Sequence, residues 1–507
     1  MKKKEEVKNK IKAKKRDLLT KGQIVSDVAI FFINFAIIVA MFILGIFLNG
    51  IGVSKSSVDY KTYFETSAGL FFYLCVTMFL VLVAFFVFLY FDNREFLKKA
   101  SNVEMIFLII EISLVCSYAT GRYINIYFRP LALGALLTLL LVGRRTAIMT
   151  NNTISVMIFI MDVFTNAEFT GQAHEVYAMY SSLILGLSTG ILAVYLVDGV
   201  QARIKVFNRG LILTIPVIIC LALLERENLW INPERLVSGA SSAILSVVLF
   251  MAILPIFEAL FKKITNYKLA ELTDHGAPLI RRLIDEAPGT FNHSIVVSNL
   301  AEACAISINE NPLLARCAAY YHDMGKLRQP EMFKENQQDN KNVHDDLTPE
   351  LSTNIIRAHT KDGYELLKKN RLPDEIADVC LQHHGTMPIL YFYAKAKKFT
   401  DGELDVSAFS YLGPKPKTKV ASIIMIADSA EAAVRSLKER SRESVDGVVE
   451  KLINERLMFG QFDDCDITMK ELNIIRNTIV NNLTGVYHER VAYPKVDIEQ
   501  IKHEEME

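Results

Sequence analysis

The chain is 507 residues long and 51% apolar, with 56 basic and 56 acidic side chains and a mean hydropathy of +0.25, high for a protein of this size. The zero net charge conceals two unlike halves: residues 1–263 carry 26 Lys or Arg against 18 Asp or Glu, and residues 264–507 carry 30 against 38, so +8 faces −8. A single soluble domain is excluded, and so is a disulfide framework or thiolate zinc site, because Cys75, Cys116, Cys220, Cys304, Cys317, Cys380 and Cys465 form no CxxC pair and show no regular spacing.

In chain order, residues 1–23 hold ten Lys or Arg and three acidic groups. Such a run resists translocation and assigns the basic segment 1–27 to the cytoplasm. A nucleic-acid-binding tail is the competing reading, but an apolar span follows at once, so no nucleic-acid polymer is expected as partner. Eight apolar segments come next, at roughly 28–48, 69–91, 104–120, 130–149, 153–165, 178–200, 211–224 and 236–260, against a spanning requirement of roughly 20 residues. The fifth is weak and the seventh short. The first exceeds the roughly 7–15 residues of a signal core and reads as a retained anchor. Eight crossings return the chain to its starting side, so 28–261 is expected to be a multi-span domain surrounded by membrane lipid, followed by a cytoplasmic half. Few charges lie inside the spans. Glu111 and Asp162 could serve transport or sensing, Asp198 and Glu258 fall near inner ends, and the lack of paired intramembrane charges argues against a pump.

After Phe261 the pattern turns to amphipathic helices broken by Pro and Gly, without alternating strand runs, so the fold class is all-α throughout. The expected parts are a connector helix over 262–287, a helical domain over 288–485 and a tail over 486–507. Polar stretches at 329–349 and 399–419 read as loops. In the second, Lys415, Lys417 and Lys419 beside Pro414 and Pro416 suggest a lid that attracts an anionic substrate.

Six of the ten histidines lie between His293 and His384. His293, His322, His383 and His384 sit in segments that otherwise read as buried helix, and His359 and Asp323 join them. Asp428 ends the apolar run VASIIMIAD, where an unpaired carboxylate costs several kcal/mol. A lone histidine on an apolar face is usually a satisfied core residue, but a cluster of imidazoles and carboxylates without thiolates suits Fe, Mn, Zn or Mg. Five histidines and two aspartates exceed what one metal with an open position takes, and they divide between two metals bridged by a carboxylate. Two such ions about 4 Å apart polarise a phosphoryl oxygen and deliver a hydroxide, so phosphate-ester hydrolysis is expected. Lys326, three residues after Asp323, could neutralise the phosphate from a neighbouring face of a continuing helix, or be a solvated surface lysine.

The string His293, His322-Asp323-Met324-Gly325-Lys326, His359, His383-His384-Gly385-Thr386, Asp428 closely resembles the HD-domain metal phosphohydrolases. The wider text, including ELTDHGAPLIRRLIDEAPGTFNHSIVVSNLAEACA, YYHDMGKLRQPEMFKENQ and FSYLGPKPKTKVASIIMIADSAEAAVRSL, looks like the membrane-anchored seven-transmembrane HD family of cyclic di-AMP phosphodiesterases, strongly over 235–480. That resemblance implies a multi-pass protein of the bacterial cell membrane that binds two divalent ions, usually iron or manganese, and linearises cyclic di-AMP to pApA. It implies that His293, His322, Asp323 and Asp428 hold one ion, with Asp323 bridging to a second held by His359, His383 and His384. The family's usual HDIG reads HDMG here, a volume-conserving apolar swap. The family's large extracytoplasmic domain is replaced by the short stretch 49–67. The GYP signature of the cyclic di-GMP branch is absent, Gly363-Tyr364 being followed by Glu365. Cyclic di-GMP or another nucleotide as substrate, a receptor that binds without cleaving, and the formation of homo-oligomers stay open at this point.

Overall fold

The computed structural model describes residues 20–52, 60–166, 173–200, 203–224, 233–337, 342–399 and 403–486. The basic segment 1–19, most of the 49–67 stretch and the tail from 487 onward lie outside the described backbone or side chains. The described residues are all-α as expected: they contain no strand, only one isolated antiparallel bridge between Pro388 and Ser410. The chain divides into two compact units, Met1–Tyr267 and Lys268–Glu507.

The first unit contains α1 (Lys21–Gly52), α2 (Tyr60–Asp92), the single turn α3 (Arg94–Leu97), α4 (Ala100–Tyr123), α5 (Leu133–Leu141), α6 (Arg144–Asn166), α7 (Ala173–Val197), α8 (Arg203–Ile212), α9 (Thr214–Leu224) and α10 (Glu234–Phe261). Seven stretches among the described residues are long and apolar enough to cross a membrane, not eight. The expected fourth span, 130–149, is not one helix. A 3₁₀ turn Ile126–Phe128 leads into α5 of only nine residues, Gly143 at φ +134 breaks the chain, and Arg144 already opens α6. Glycine adopts that backbone without strain, whereas a side chain would not.

The short piece nevertheless carries the chain from one end of the bundle to the other. Arg144 pairs with Asp198 after α7, Arg145 with Asp92 at the end of α2, and Gln23 Nε2 donates to Lys98 O. Lys263, just past α10, lies over the ring of Phe96 in α3. The start of α1, the α5–α6 turn and the end of α10 therefore share one end. At the opposite end Tyr118 Oη donates to Gly45 O, and the Arg235 guanidinium stacks on Tyr127.

A buried ion pair, absent from the sequence reading, lies on the Arg235 side. Arg129 and Asp162 are 4% and 2% exposed, and the guanidinium grips both carboxylate oxygens at 2.5 and 2.6 Å. Ser182 Oγ accepts a third bond at 3.3 Å. Gly121 of α4 makes room, since a Cβ there would stand 2.3 Å from Arg129 Nε. The expectation that no intramembrane charges are paired is corrected: Asp162 has a partner supplied by the non-helical start of the short traverse.

No single connector helix forms over 262–287. Lys262 adopts a left-handed conformation and caps α10, and two short helices follow, α11 (Asn266–Leu272) and α12 (Pro278–Glu286). Asp274-His275-Gly276 forms the turn between them, and Ala277 is held extended by the following proline, as the clash with a proline ring dictates.

The second unit is built on α13 (Pro288–Ser307), α14 (Pro312–Tyr321), α15 (Pro349–Lys369), α16 (Asp374–Gln382), α17 (Leu390–Lys397), α18 (Lys419–Arg435), α19 (Arg442–Met458) and α20 (Met469–Val486). α18 is the axis. Thr418 caps it by accepting from Ala421 N, and Ile423, Ile424, Ile426 and Val434 pack on Val297 and Leu300 of α13, Val445 and Val449 of α19 and Ile475 and Ile479 of α20. Each such side chain contributes about 1.5–3 kcal/mol relative to exposure. Alanines 301, 305, 315, 318 and 319 let α13 and α14 approach closely. The described residues of the 329–349 loop include 3₁₀ turns at Pro330–Met332, Lys334–Asn336 and Val343–Asp345, and Thr348 caps α15.

Candidate metal centre

Seven side chains from six places on this scaffold converge. His293 comes from α13, His322 from the last residue of α14's cap, Asp323 from the turn after it, His359 from α15, His383 and His384 from the end of α16, and Asp428 from α18. Two glycines allow the approach of backbone to backbone. A Cβ on Gly325 would stand 1.9 Å from His359 O, and one on Gly289 1.9 Å from Glu335 O. Gly385, at φ +51, turns the chain straight after His384.

Asp323 is at the middle, 2% exposed. Its Oδ1 faces His359 Nε2 at 3.3 Å and His383 Nε2 at 3.6 Å, while Oδ2 faces His322 Nε2 at 3.2 Å and His293 Nε2 at 3.7 Å. Asp428 lies 3.0 Å from His293 Nε2 through Oδ1 and 3.7 Å from His384 Nδ1 through Oδ2. The far edges of the rings are fixed as well. His322 Nδ1 donates to Ala319 O at 2.6 Å, His359 Nδ1 to Ile356 O at 2.5 Å and His383 Nδ1 to Val379 O at 3.1 Å. A carbonyl can only accept, so each ring carries a proton on Nδ1 and turns Nε2 inward.

This donor set fits divalent ions. Three groups, His359/His383/His384, His293/His322/Asp323 and His322/His383/Asp428, each bring ligand atoms within 4.8 Å of one another. His322 Nε2 and Asp323 Oδ1 are buried without a hydrogen-bond partner, a state that a cation relieves. Without a cation, protons carry the compensating charge. Burial depresses His322, but Asp323 and Asp428 outweigh it and carry the imidazole up to about 10, while His322 and Lys326 hold Asp323 well below the usual carboxylate range despite burial. Burial lowers His359 to about 4, with His383 and Lys326 adding to the effect, and burial likewise depresses His384. A metal must therefore displace the His322 proton. Adding Mn²⁺ to metal-free protein at pH 8 is expected to release about one proton per chain from this group, and affinity is expected to fall as pH drops from 8 to 6. Calorimetry in buffers of differing ionisation enthalpy measures this, and uptake without proton release would contradict it.

A cavity of ≈ 480 Å³ opens on the cluster, lined among others by His293, Lys326, Phe333, Tyr411, Asp428 and Arg435. Lys326 is not on a continuing helix. Met324–Arg328 is a 3₁₀ segment, in which residues three apart eclipse, so Lys326 Nζ lies 2.8 Å from Asp323 Oδ2 and 2.5 Å from Glu335 Oε1. The expected lysine lid is corrected too. Lys415 pairs with Asp463, and Lys419 with Glu471 and Glu310, while the backbone N–H of Lys417 donates to Gln382. What this loop brings to the cavity is Tyr411, whose ring stacks on His384 with centroids 4.3 Å apart. Sequence reasoning also missed Glu335 and Glu431. Glu431, at Asp428 plus three in one apolar helix, was the readable one, since that spacing puts both carboxylates on the same face.

Residues 290–433 match the HD domain family, and residues 68–265 match the family described as 7TM receptor with intracellular HD hydrolase. The chain is similar to the cyclic-di-AMP phosphodiesterase PgpH of Bacillus subtilis, 37% identical over 411 residues that cover 80% of this chain and 56% of that protein. To the cyclic-di-AMP phosphodiesterase PgpH of Listeria monocytogenes it is 47% identical over 247 residues, 49% of this chain and 34% of that one. The crystal structure of the Listeria monocytogenes PgpH HD domain in complex with cyclic-di-AMP matches at 47% identity and a TM-score of 0.41, covering 42% of this chain and 100% of that one. The chain thus spans about half the length of the first of these relatives and a third of the second. The two family matches follow one another along the chain, that of the 7TM receptor with intracellular HD hydrolase on the apolar bundle and that of the HD domain on the histidine cluster.

Proposed function

We propose that the protein is a membrane-bound, metal-dependent phosphodiesterase that linearises a cyclic dinucleotide, with cyclic di-AMP as its substrate and pApA as product. One observation carries this reading: the two oxygens of Asp323 face two separate sets of imidazoles, the arrangement a carboxylate needs to bridge two cations. His293, His322, Asp323 and Asp428 would hold one divalent ion, and Asp323, His359, His383 and His384 the other, with Mn or Fe suiting this nitrogen and oxygen set. When bound, the ions supply an acidified water and charge stabilisation at the phosphoryl group. The chain's own part is positional. Nδ1 hydrogen bonds aim three lone pairs inward, and Lys326, steadied by Glu335, presents a cation beside the phosphate. Phe333 and Tyr411 line the same cavity with rings a base can stack on. Substrate identity draws on the PgpH relatives and on the absence of Pro after Gly363-Tyr364.

We place the bundle end that carries Asp92, Arg144 and Lys263, and with it the HD unit, in the cytoplasm. Lys98, Lys99, Arg144, Arg145, Lys262 and Lys263 gather around that end, and the basic residues of 1–16 precede α1, as the positive-inside rule requires. The deciding experiment incubates the full chain in detergent with Mn²⁺ and either cyclic di-AMP or cyclic di-GMP, and separates the products by chromatography. Conversion of cyclic di-AMP to pApA supports the proposal. Tight binding of cyclic di-AMP by metal-loaded protein without any product would replace it with a receptor.

A further inference from the structure

Four rings in the cluster have their Nδ1 edge engaged, and one of them differs in kind. His322, His359 and His383 each use a backbone carbonyl three or four residues earlier in their own helix. His293 instead meets a side chain from another helix: its Nδ1 lies 2.6 Å from Glu431 Oε2. Glu431 is 1% exposed, a depth at which a carboxylate is costly unless both oxygens are paired. They are, because Oε1 accepts from Arg435 one turn later on α18. Asp428 lies one turn earlier on the same helix, with its Oδ1 3.0 Å from the other nitrogen of the same ring. His293 is thus clamped between two carboxylates of α18, one facing the cluster and one behind it. Arg435, half-exposed, lines the cavity and ends the chain of contacts at its rim.

Building on the two-metal reading above, we propose that Glu431 is a positioning residue for His293. By accepting from Nδ1–H it fixes the tautomer that leaves the Nε2 lone pair for the metal, and it sets the plane of a ring that, unlike the other three, does not use a carbonyl of its own helix. Arg435 holds the carboxylate in place. A carboxylate accepts more strongly than a carbonyl and makes the opposite nitrogen a better donor, and loss of such partners typically costs about 10–100-fold in metal affinity. The consequence is selective: only the ion on the His293 side depends on Glu431, because the rings facing Asp323 Oδ1 are held by backbone.

The test titrates Mn²⁺ into the metal-free full chain in detergent and reads two affinities by calorimetry. Glu431→Leu, which keeps bulk and loses the acceptor, is expected to weaken one of the two sites about 10–100-fold and leave the other unchanged. Glu431→Gln, which keeps an acceptor oxygen, is expected to recover most of that loss. Glu431→Ala takes the place of the leucine variant should the latter fail to fold. Wild-type affinity at both sites in the leucine or alanine variant overturns the proposal, and so does a glutamine variant as damaged as leucine, which would assign Glu431 a packing role only. His293→Ala is the reference. If it loses one site while Glu431→Leu loses none, the positioning role alone is wrong; if it keeps both sites, the two-metal reading fails and takes this inference with it.

Discussion

Asp323→Ala is expected to abolish cyclic-dinucleotide hydrolysis and to leave the chain with at most one bound metal. The carboxylate lies at the middle of the cluster, with Oδ1 toward His359 and His383 and Oδ2 toward His293 and His322. Alanine removes both oxygens, and the two ions then face each other across a gap with no shared anion. We expect a fall in kcat of at least 10³-fold, about 4 kcal/mol of barrier. Asp323→Asn refines the result. It retains one acceptor oxygen but replaces the other with a donor, so it is expected to hold one ion and remain inactive. Metal analysis and kinetics on the same sample decide the matter: two ions per chain with retained activity in Asp323→Ala would refute the bridge. The metal-free protein is also expected to melt earlier, because His322 loses the neighbour that carries its imidazole up to about 10. That stabilisation is fully present below the ordinary histidine pKa and fades as pH rises toward 10, so the deficit is expected to be largest near pH 6 and to shrink above pH 9.

The second large effect belongs to the apolar bundle. Replacing Asp162 by Ala strands the Arg129 guanidinium, 4% exposed, with Ser182 as its remaining side-chain acceptor. Breaking a buried pair by removing one partner typically costs about 3–5 kcal/mol, whereas removing both charges together with well-packed replacements is often nearly neutral. Single variants Asp162→Ala and Arg129→Met are therefore expected to lower the melting temperature in detergent sharply, and the double variant Arg129→Met with Asp162→Leu to recover most of the loss. Size-exclusion profiles after heating provide the measurement. Single variants as stable as the parent would show that the pair contributes nothing to stability.

The residues of the cluster were legible because residue type carries their chemistry: an imidazole or a carboxylate in an apolar helix raises a question wherever it stands, and the five histidines and two aspartates singled out on that ground lie together. What surrounds them was harder to read. Tyr411 reaches His384 only because Tyr411 N bonds to Met387 O and Ile389 N to Phe409 O, pairings that leave no trace in either segment alone. The lysines of the 399–419 loop looked free because their partners Asp463, Glu471 and Glu310 lie more than 45 residues away in either direction. In the bundle, an apolar window over 130–149 averages across Gly143 and cannot see that the chain reverses there. Asp162 read as unpaired and Arg129 drew no notice, since nothing local links positions 33 apart.

The short traverse also bears on biogenesis. In its non-helical entry, Arg129 to Ala132, two backbone groups bond to serines: Ala132 N donates to Ser246 Oγ at 3.3 Å, and Arg129 O, which also accepts from Leu131 N, accepts from Ser242. Both serines belong to α10, more than a hundred residues later in synthesis. Unpaired backbone polar groups at membrane depth cost several kcal/mol each. A nascent chain that has emerged only as far as α9 therefore lacks the partner that Ala132 N has in the folded bundle, and the arrival of α10 is what completes the pairing of the short traverse.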